Sequence, residues 1–151
     1  MKILMVCLGN ICRSPLAEGI LQHKAIQSGL SIDVDSAGTI AKHEGELPDP
    51  RSIEVAENYK IDITNQRSRP FKKADFELFD TIYVMDASNY SDVIALTENE
   101  EQRKKVKMIL NESYPGENRR VLDPYFGGDE RFENVYQMLD KACSIIIDNL
   151  K

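Results

Sequence analysis

The chain has 151 residues, 42% hydrophobic and 29% charged, with a formal net charge of −6. That size and composition suit one globular domain with a real core, spanning residues 1–151. The negative balance argues against nucleic acid as a general partner, because phosphate-backbone affinity needs clustered Lys and Arg. No apolar run approaches the roughly 18 residues of a membrane span, so no membrane partner is expected.

Lys2–Val6 reads as a buried strand. Only Lys2 precedes its apolar run, and Gly9-Asn10-Ile11-Cys12-Arg13 breaks that run soon after, so the start does not read as a signal peptide. A cytoplasmic location is expected. Ser14–Ser28 has a helical pattern through Leu16, Ala17, Ile20, Leu21 and Ala25. Ser14 suits its N-cap, Pro15 its first position, Glu18 its first turn and Gly29 its stop. Ile32–Ala37 alternates like a strand. The polar stretch Thr39–Pro50 is a loop. Asp49–Tyr59 reads as a helix, and Phe71–Phe79 as a short one. Thr81–Met85 is another buried strand, Ser88–Leu96 a helix, and Lys105–Leu110 a candidate fourth strand. Asn111–Asp129 is rich in Gly and Pro. After it, Phe132, Val135, Tyr136, Leu139, Ala142, Cys143, Ile146, Ile147 and Leu150 keep a helical period.

Strands that alternate with helices imply a parallel sheet covered on both faces. Ligands of such sheets bind at the carboxyl ends of the strands. The segment Cys7–Ser14 lies at the end of the first strand.

Two basic clusters, Arg67/Arg69/Lys72/Lys73 and Arg103/Lys104/Lys105/Lys107, read as solvated surface. The cysteines are Cys7, Cys12 and Cys143. An odd count argues against a disulfide framework, and the Cys7–Cys12 spacing is not that of a zinc knuckle. His23 and His43 stand apart from other ligands. No metal and no cofactor are expected.

The chemistry concentrates in Val6-Cys7-Leu8-Gly9-Asn10-Ile11-Cys12-Arg13-Ser14. A strand, tight loop and helix start would ring an anion with the N–H groups of Leu8, Gly9, Asn10, Ile11, Cys12, Arg13 and Ser14. Arg13 offers a planar fork for phosphate oxygens. A helix N-terminus and a cation both favour a thiolate, and Cys7 has both in this layout. Gly9 suits a tight turn close to the ligand, and Asn10 tolerates left-handed geometry. Ser14 is placed to hydrogen-bond the sulfur. Phosphoryl transfer needs positioning and charge stabilisation, and a sulfur nucleophile splits hydrolysis into two displacements. The candidate acid is Asp123, in Leu122-Asp123-Pro124-Tyr125-Phe126.

These residues resemble the low-molecular-weight protein tyrosine phosphatase family. The likeness runs through the Cys7 loop to Pro15, then Asp35-Ser36-Ala37-Gly38-Thr39 and Pro48-Asp49-Pro50-Arg51. It continues with Asp75-Phe76, Phe79-Asp80, Met85-Asp86-Ala87-Ser88-Asn89, Asp123–Gly128 and Phe132-Glu133 with Val135-Tyr136. The resemblance implies an open four-stranded parallel sheet flanked by helices, of the flavodoxin-like kind. It implies metal-independent hydrolysis of phosphotyrosine in a protein or peptide, through a phosphocysteine. It gives Cys7 the nucleophile position, Arg13 the phosphate-binding position and Asp123 the general acid. Asn10, Ser14 and Ser36 match a polar network that holds the loop, and Asp86 a buried carboxylate that fixes the scaffold. Cys12 matches a second cysteine that can pair with Cys7 under oxidation. A tyrosine kinase is a partner class implied by bacterial relatives, and a monomer is expected.

Three positions depart from the family pattern. Lys42 stands where many members have an aromatic cleft wall, which suits acidic residues beside the phosphotyrosine. Phe126 replaces a second tyrosine, while Tyr125 remains. Gln66 stands where histidine is common, so no histidine–aspartate pairing is expected. Ile11, Lys42, Tyr125 and Phe126 are the expected substrate cleft.

The same loop admits rival readings. An arsenate reductase needs further cysteines in mid-chain, and none lies between Cys12 and Cys143. A phosphoarginine phosphatase carries threonine at the position of Ile11, whereas apolar Ile11 suits a phenyl ring. A phosphate-binding module without turnover would lack Cys7, Arg13 or Asp123, and all three are present.

Overall fold

The structure is a computed structural model that describes residues 1–151. Four strands form one parallel sheet: β1 (Lys2–Cys7), β2 (Asp33–Gly38), β3 (Thr81–Val84) and β4 (Val106–Met108), in the order β2-β1-β3-β4. The alternation of strands and helices implies the parallel sheet, and the family resemblance implies its open four-stranded, flavodoxin-like form; both are found. Its strand order reverses beside β1, which puts a binding crevice at the carboxyl ends of β1 and β3.

The helices are α1 (Arg13–Gln27), α2 (Pro50–Asn58), α3 (Asp75–Leu78), α4 (Ala87–Ile94), α5 (Glu100–Lys105) and α6 (Asp129–Leu150). β1 is buried on both faces, so its side chains divide by parity. Ile3, Met5 and Cys7 enter a large cluster with Leu16, Ile20, Leu21, Phe132, Leu139 and Ile146 of α1 and α6. Leu4 and Val6 enter a smaller one with Phe76, Phe79 and Val93. The parity places the Cys7 side chain on the α1/α6 face, at the edge of the larger core.

Several expectations change in detail. Ser14 does not cap α1. The helix begins one residue earlier, Cys12 stands at the N-cap without a side-chain cap bond, and the Ser14 hydroxyl points into the loop instead. Glu18 lies beyond the first turn and Pro15 within it. Gly29 ends the helix in left-handed geometry, φ 68°, as its position suggested. The predicted Phe71–Phe79 helix shrinks to Asp75–Leu78, because Arg69–Phe71 first pairs with Gly38 at the end of β2. The Lys105–Leu110 strand shortens to Val106–Met108 before a turn of 3-10 helix at Ile109–Asn111.

The sequence pattern does not reveal α5, which buries no side chain and so shows no apolar period. Asn99 caps it through Gln102, acids fill its first turn, and Arg103, Lys104 and Lys105 its last. Arg103 and Lys104 are exposed there, as is Lys107 on β4, so this cluster is solvated surface that also suits a helix end. In the other cluster Arg67, Lys72 and Lys73 are exposed, and Arg69 alone departs from solvated surface. Arg69 pairs with Asp35 at 3.0 Å and buried Asp75 at 3.1 Å, joining β2 to α3.

Candidate active site

The loop after β1 turns back on itself through Asn10, whose φ of 56° is left-handed. Gly9 is not in that region. What a side chain at Gly9 would meet is the His43 ring, 3.0 Å from an added Cβ. Gly38 is under a stricter demand, since a Cβ there would sit 2.8 Å from the Leu8 carbonyl oxygen. The end of β2 can lie against the loop because Gly38 has no side chain.

The Asn10 amide binds the loop from inside. Its Nδ2 donates to Ser14 Oγ at 2.7 Å and Ser36 Oγ at 2.9 Å, and its Oδ1 accepts from the Arg69 N–H at 3.0 Å. Ser14 Oγ lies 3.0 Å from Cys7 Sγ. Asn10 already donates to that hydroxyl, so the Ser14 hydrogen is left for the sulfur or for the Ala37 carbonyl, 3.5 Å away. Ser36 passes its own hydrogen to Glu18 Oε1 at 2.7 Å. The sulfur thus ends a chain of four polar groups that begins at a carboxyl on α1.

Glu18 is an addition to the residues expected here. Its signal in the sequence is the four-residue spacing from Ser14, which puts both on one helix face. Burial pushes the Glu18 carboxyl up to about 7, with Asp35 adding to the shift and Ser36 and Arg69 opposing it.

Arg13 is 2% exposed and held from behind. Its Nη1 donates to Asp86 Oδ2 at 2.7 Å and to the Val121 carbonyl at 3.0 Å. The scaffold therefore occupies Nη1, and the Nε–Nη2 edge is left as the fork for an anion. Burial opposes the charge on Arg13, but Cys7, Asp86 and Asp123 together raise its pKa. Asp86 is half-buried rather than buried, and also caps α4 through the Asn89 N–H at 2.8 Å. The Gln66 amide donates to the Pro15 carbonyl at 3.0 Å.

Asp123 lies across the mouth of the loop, its Oδ2 3.7 Å from Arg13 Nη2. Its other oxygen accepts from the Tyr125 N–H at 3.1 Å. A cleft opens here, walled by Leu8, Ile11, Ile40, Lys42, His43, Tyr125 and Phe126 with Cys7, Cys12, Arg13 and Asp123 at its base and lip. Ile11, Lys42, Tyr125 and Phe126 therefore line one cleft. Phe126 is 91% exposed at its rim and packs edge-on against Tyr125.

His43 and Ile40 join the cleft without having been expected in it. His43 looks isolated in the sequence, yet its Nδ1 pairs with Glu46 at 2.7 Å and its ring lies over Gly9. No sequence signal points to it beyond its nearness to Lys42. Burial, then Asp49, keep the Cys12 thiol well above its ordinary pKa, so it is a neutral neighbour of Cys7. All three cysteines are free.

Arg51 belongs to the Pro48–Arg51 motif, but the sequence gives it no duty. It sits in a clasp with Asp49 and reaches the Tyr125 and Gly127 carbonyls at 3.0 and 3.1 Å. Asp49 and Arg51 fix each other's charge. Burial alone would raise the Asp49 carboxyl, but the Arg51 bonds hold it below its usual range.

No group of three or more His, Cys, Asp or Glu side chains is arranged to hold a metal ion, and no helix is long and apolar enough to cross a membrane.

Residues 2–151 match the model of a family described as low molecular weight phosphotyrosine protein phosphatase. A Schizosaccharomyces pombe protein named low molecular weight phosphotyrosine protein phosphatase is 38% identical, covering 92% of this chain and 90% of its own. Among solved structures, a protein tyrosine phosphatase from Entamoeba histolytica superposes with a TM-score of 0.92 at 36% identity, covering 99% of this chain and 96% of that one. The YwlE arginine phosphatase, as a C7S mutant with a phosphorylated active-site serine, superposes at 0.90 with 27% identity, covering 99% and 95%.

Proposed function

This chain belongs to the low molecular weight phosphotyrosine protein phosphatase family, and we propose that it hydrolyses phosphotyrosine in proteins or peptides through a phosphocysteine on Cys7. One observation carries the reading. Cys7 Sγ has a hydroxyl donor 3.0 Å away, inside a loop that Arg13 closes and Asp123 overhangs at 3.7 Å.

The phosphoryl group enters the N–H ring from Leu8 to Ser14 and takes the free edge of Arg13, competing with Asp123 for Nη2. The Cys7 thiolate attacks phosphorus while the bond to the phenolic oxygen breaks. Asp123 gives its proton to that oxygen, and tyrosine leaves. The Asp123 carboxylate then takes a proton from water as the water attacks phosphorus. The sulfur–phosphorus bond breaks, which restores the thiolate and releases phosphate. Ser14 donates to the sulfur whenever it carries charge. A phosphorylated serine in the Cys-to-Ser form of a structural neighbour supports an intermediate of this kind.

Ile11 and the Tyr125–Phe126 pair offer a flat apolar slot for a phenyl ring, and Lys42 a cation for acidic flanking residues. Cys7 and Cys12 are the candidate redox pair. A cytoplasmic, monomeric enzyme with a tyrosine kinase among its substrates is consistent with this reading.

The test compares hydrolysis of phosphotyrosine, phosphoserine and phosphoarginine peptides by reduced protein with EDTA present. Turnover of phosphotyrosine alone is expected. Preference for phosphoarginine would reassign the cleft and leave the loop chemistry standing, as the arginine phosphatase neighbour makes worth testing. No turnover of any substrate would replace the enzyme by a binding module.

A further inference from the structure

Between Val121 and α6 the chain has no strand or helix, yet it carries Asp123. The loop turns on itself through Gly127 N–H to the Pro124 carbonyl at 2.9 Å. Apart from the Arg131 N–H of α6, which reaches the Gly128 carbonyl at 3.0 Å, the hydrogen bonds that reach its backbone from elsewhere both come from Arg51, at the Tyr125 carbonyl, 3.0 Å, and the Gly127 carbonyl, 3.1 Å. The guanidinium also lies 4.5 Å from the centre of the Phe132 ring at the start of α6.

The same turn of α2 is fastened to the phosphate loop. The Asp49 N–H donates to the Ile11 carbonyl at 2.8 Å, and Ser52 Oγ to the Cys12 carbonyl at 3.2 Å. Asp49 then orients Arg51 through contacts of 3.1 Å at Nε and 3.0 Å at Nη2. One short rigid piece, residues 49–52, therefore touches the loop that carries Cys7 on one side and the loop that carries Asp123 on the other.

We propose that Arg51 is a positioning residue that sets Asp123 over the leaving oxygen, with the first turn of α2 as a strut between the two loops. Proton transfer needs the acid within hydrogen-bond reach of the departing atom, and displacement by about 1 Å can cost on the order of a hundredfold. Arg51 has no part in gripping phosphate. Its loss should spare anion binding and remove the acid's contribution. The proposal rests on Asp123 being the general acid.

The experiment reads kcat/KM for p-nitrophenyl phosphate, whose leaving group needs little protonation, and for phenyl phosphate, whose leaving group needs it. Arg51→Ala is expected to lose at least about tenfold more on phenyl phosphate than on p-nitrophenyl phosphate, with the inhibition constant of vanadate changed by less than about threefold. Added to Asp123→Asn, it should cost little more on phenyl phosphate, because the acid is already absent. Arg51→Lys keeps a cation beside Asp49 but cannot span both carbonyls, and should show the same selective loss if the alanine variant does not fold. Equal losses on both substrates, or losses that multiply with those of Asp123→Asn, would overturn the strut. Equal losses for Asp123→Asn by itself would instead remove the acid, and the strut with it.

Discussion

Replacing Cys7 by serine leaves the loop's shape and removes the thiolate. Turnover of phosphotyrosine is expected to fall by at least about a thousandfold, while vanadate or phosphate still binds, because the N–H ring and Arg13 remain. Activity within about tenfold of the parent would sink the thiolate mechanism. At this scale some local contacts are legible in the sequence and others are not. The sequence offers Ser14 two duties, helix cap and partner of the Cys7 sulfur, and the structure keeps only the second. The Ser14 hydroxyl is claimed by the Cys7 sulfur and the Asn10 amide. Asn10 holds the left-handed angle that its residue type allows, whereas Gly9, read as the tight-turn residue, answers to the His43 ring. His43 reaches Gly9 from a separate loop, and one-dimensional spacing does not carry that contact.

α1 joins two kinds of work along one helix face. Its apolar side packs on α6, and the turn after Ser14 brings Glu18 to Ser36. The Glu18 carboxyl ordinarily titrates at 4.5, and burial moves it to about 7 in the folded chain. The folded state therefore holds a proton that the unfolded state has released. Stability from this group is present below the unfolded value and is lost as pH rises to about 7, then stays flat. Glu18→Gln keeps an acceptor for Ser36 and removes the titration. Denaturant unfolding of that variant should depend less on pH between about pH 5 and pH 8, with a gain on the order of 2 kcal/mol over the parent at the upper end. An unchanged slope would mean that Glu18 is solvated in the folded chain. The helices themselves are legible in the sequence wherever a face is buried, as in α6, and invisible where none is, as in α5. Periodicity reports burial and not helicity.

The whole molecule places its anion cradle where the strand order reverses, so ligand binding and folding are linked. A ligand bound only by the folded state stabilises by about 2.7 kcal/mol at a hundred times its Kd. Vanadate should raise the unfolding midpoint of the parent and of Asp123→Asn, and should leave that of Arg13→Ala nearly unmoved. A rise of equal size in Arg13→Ala would place the anion elsewhere. By itself, the sequence determined the βα alternation, the parallel sheet and the cradle at the end of β1. These come from local rules: apolar runs make buried strands, a helical period makes one covered face, and a tight loop before a helix start gathers N–H groups. Tertiary structure alone decided that Asp86 and Val121 occupy one edge of Arg13, that Glu18 ends the chain of polar groups behind Cys7, and that Arg51 spans to the loop of Asp123. Each of those contacts joins residues far apart in the chain or on facing elements, and its partner is chosen by how sheet and helices pack.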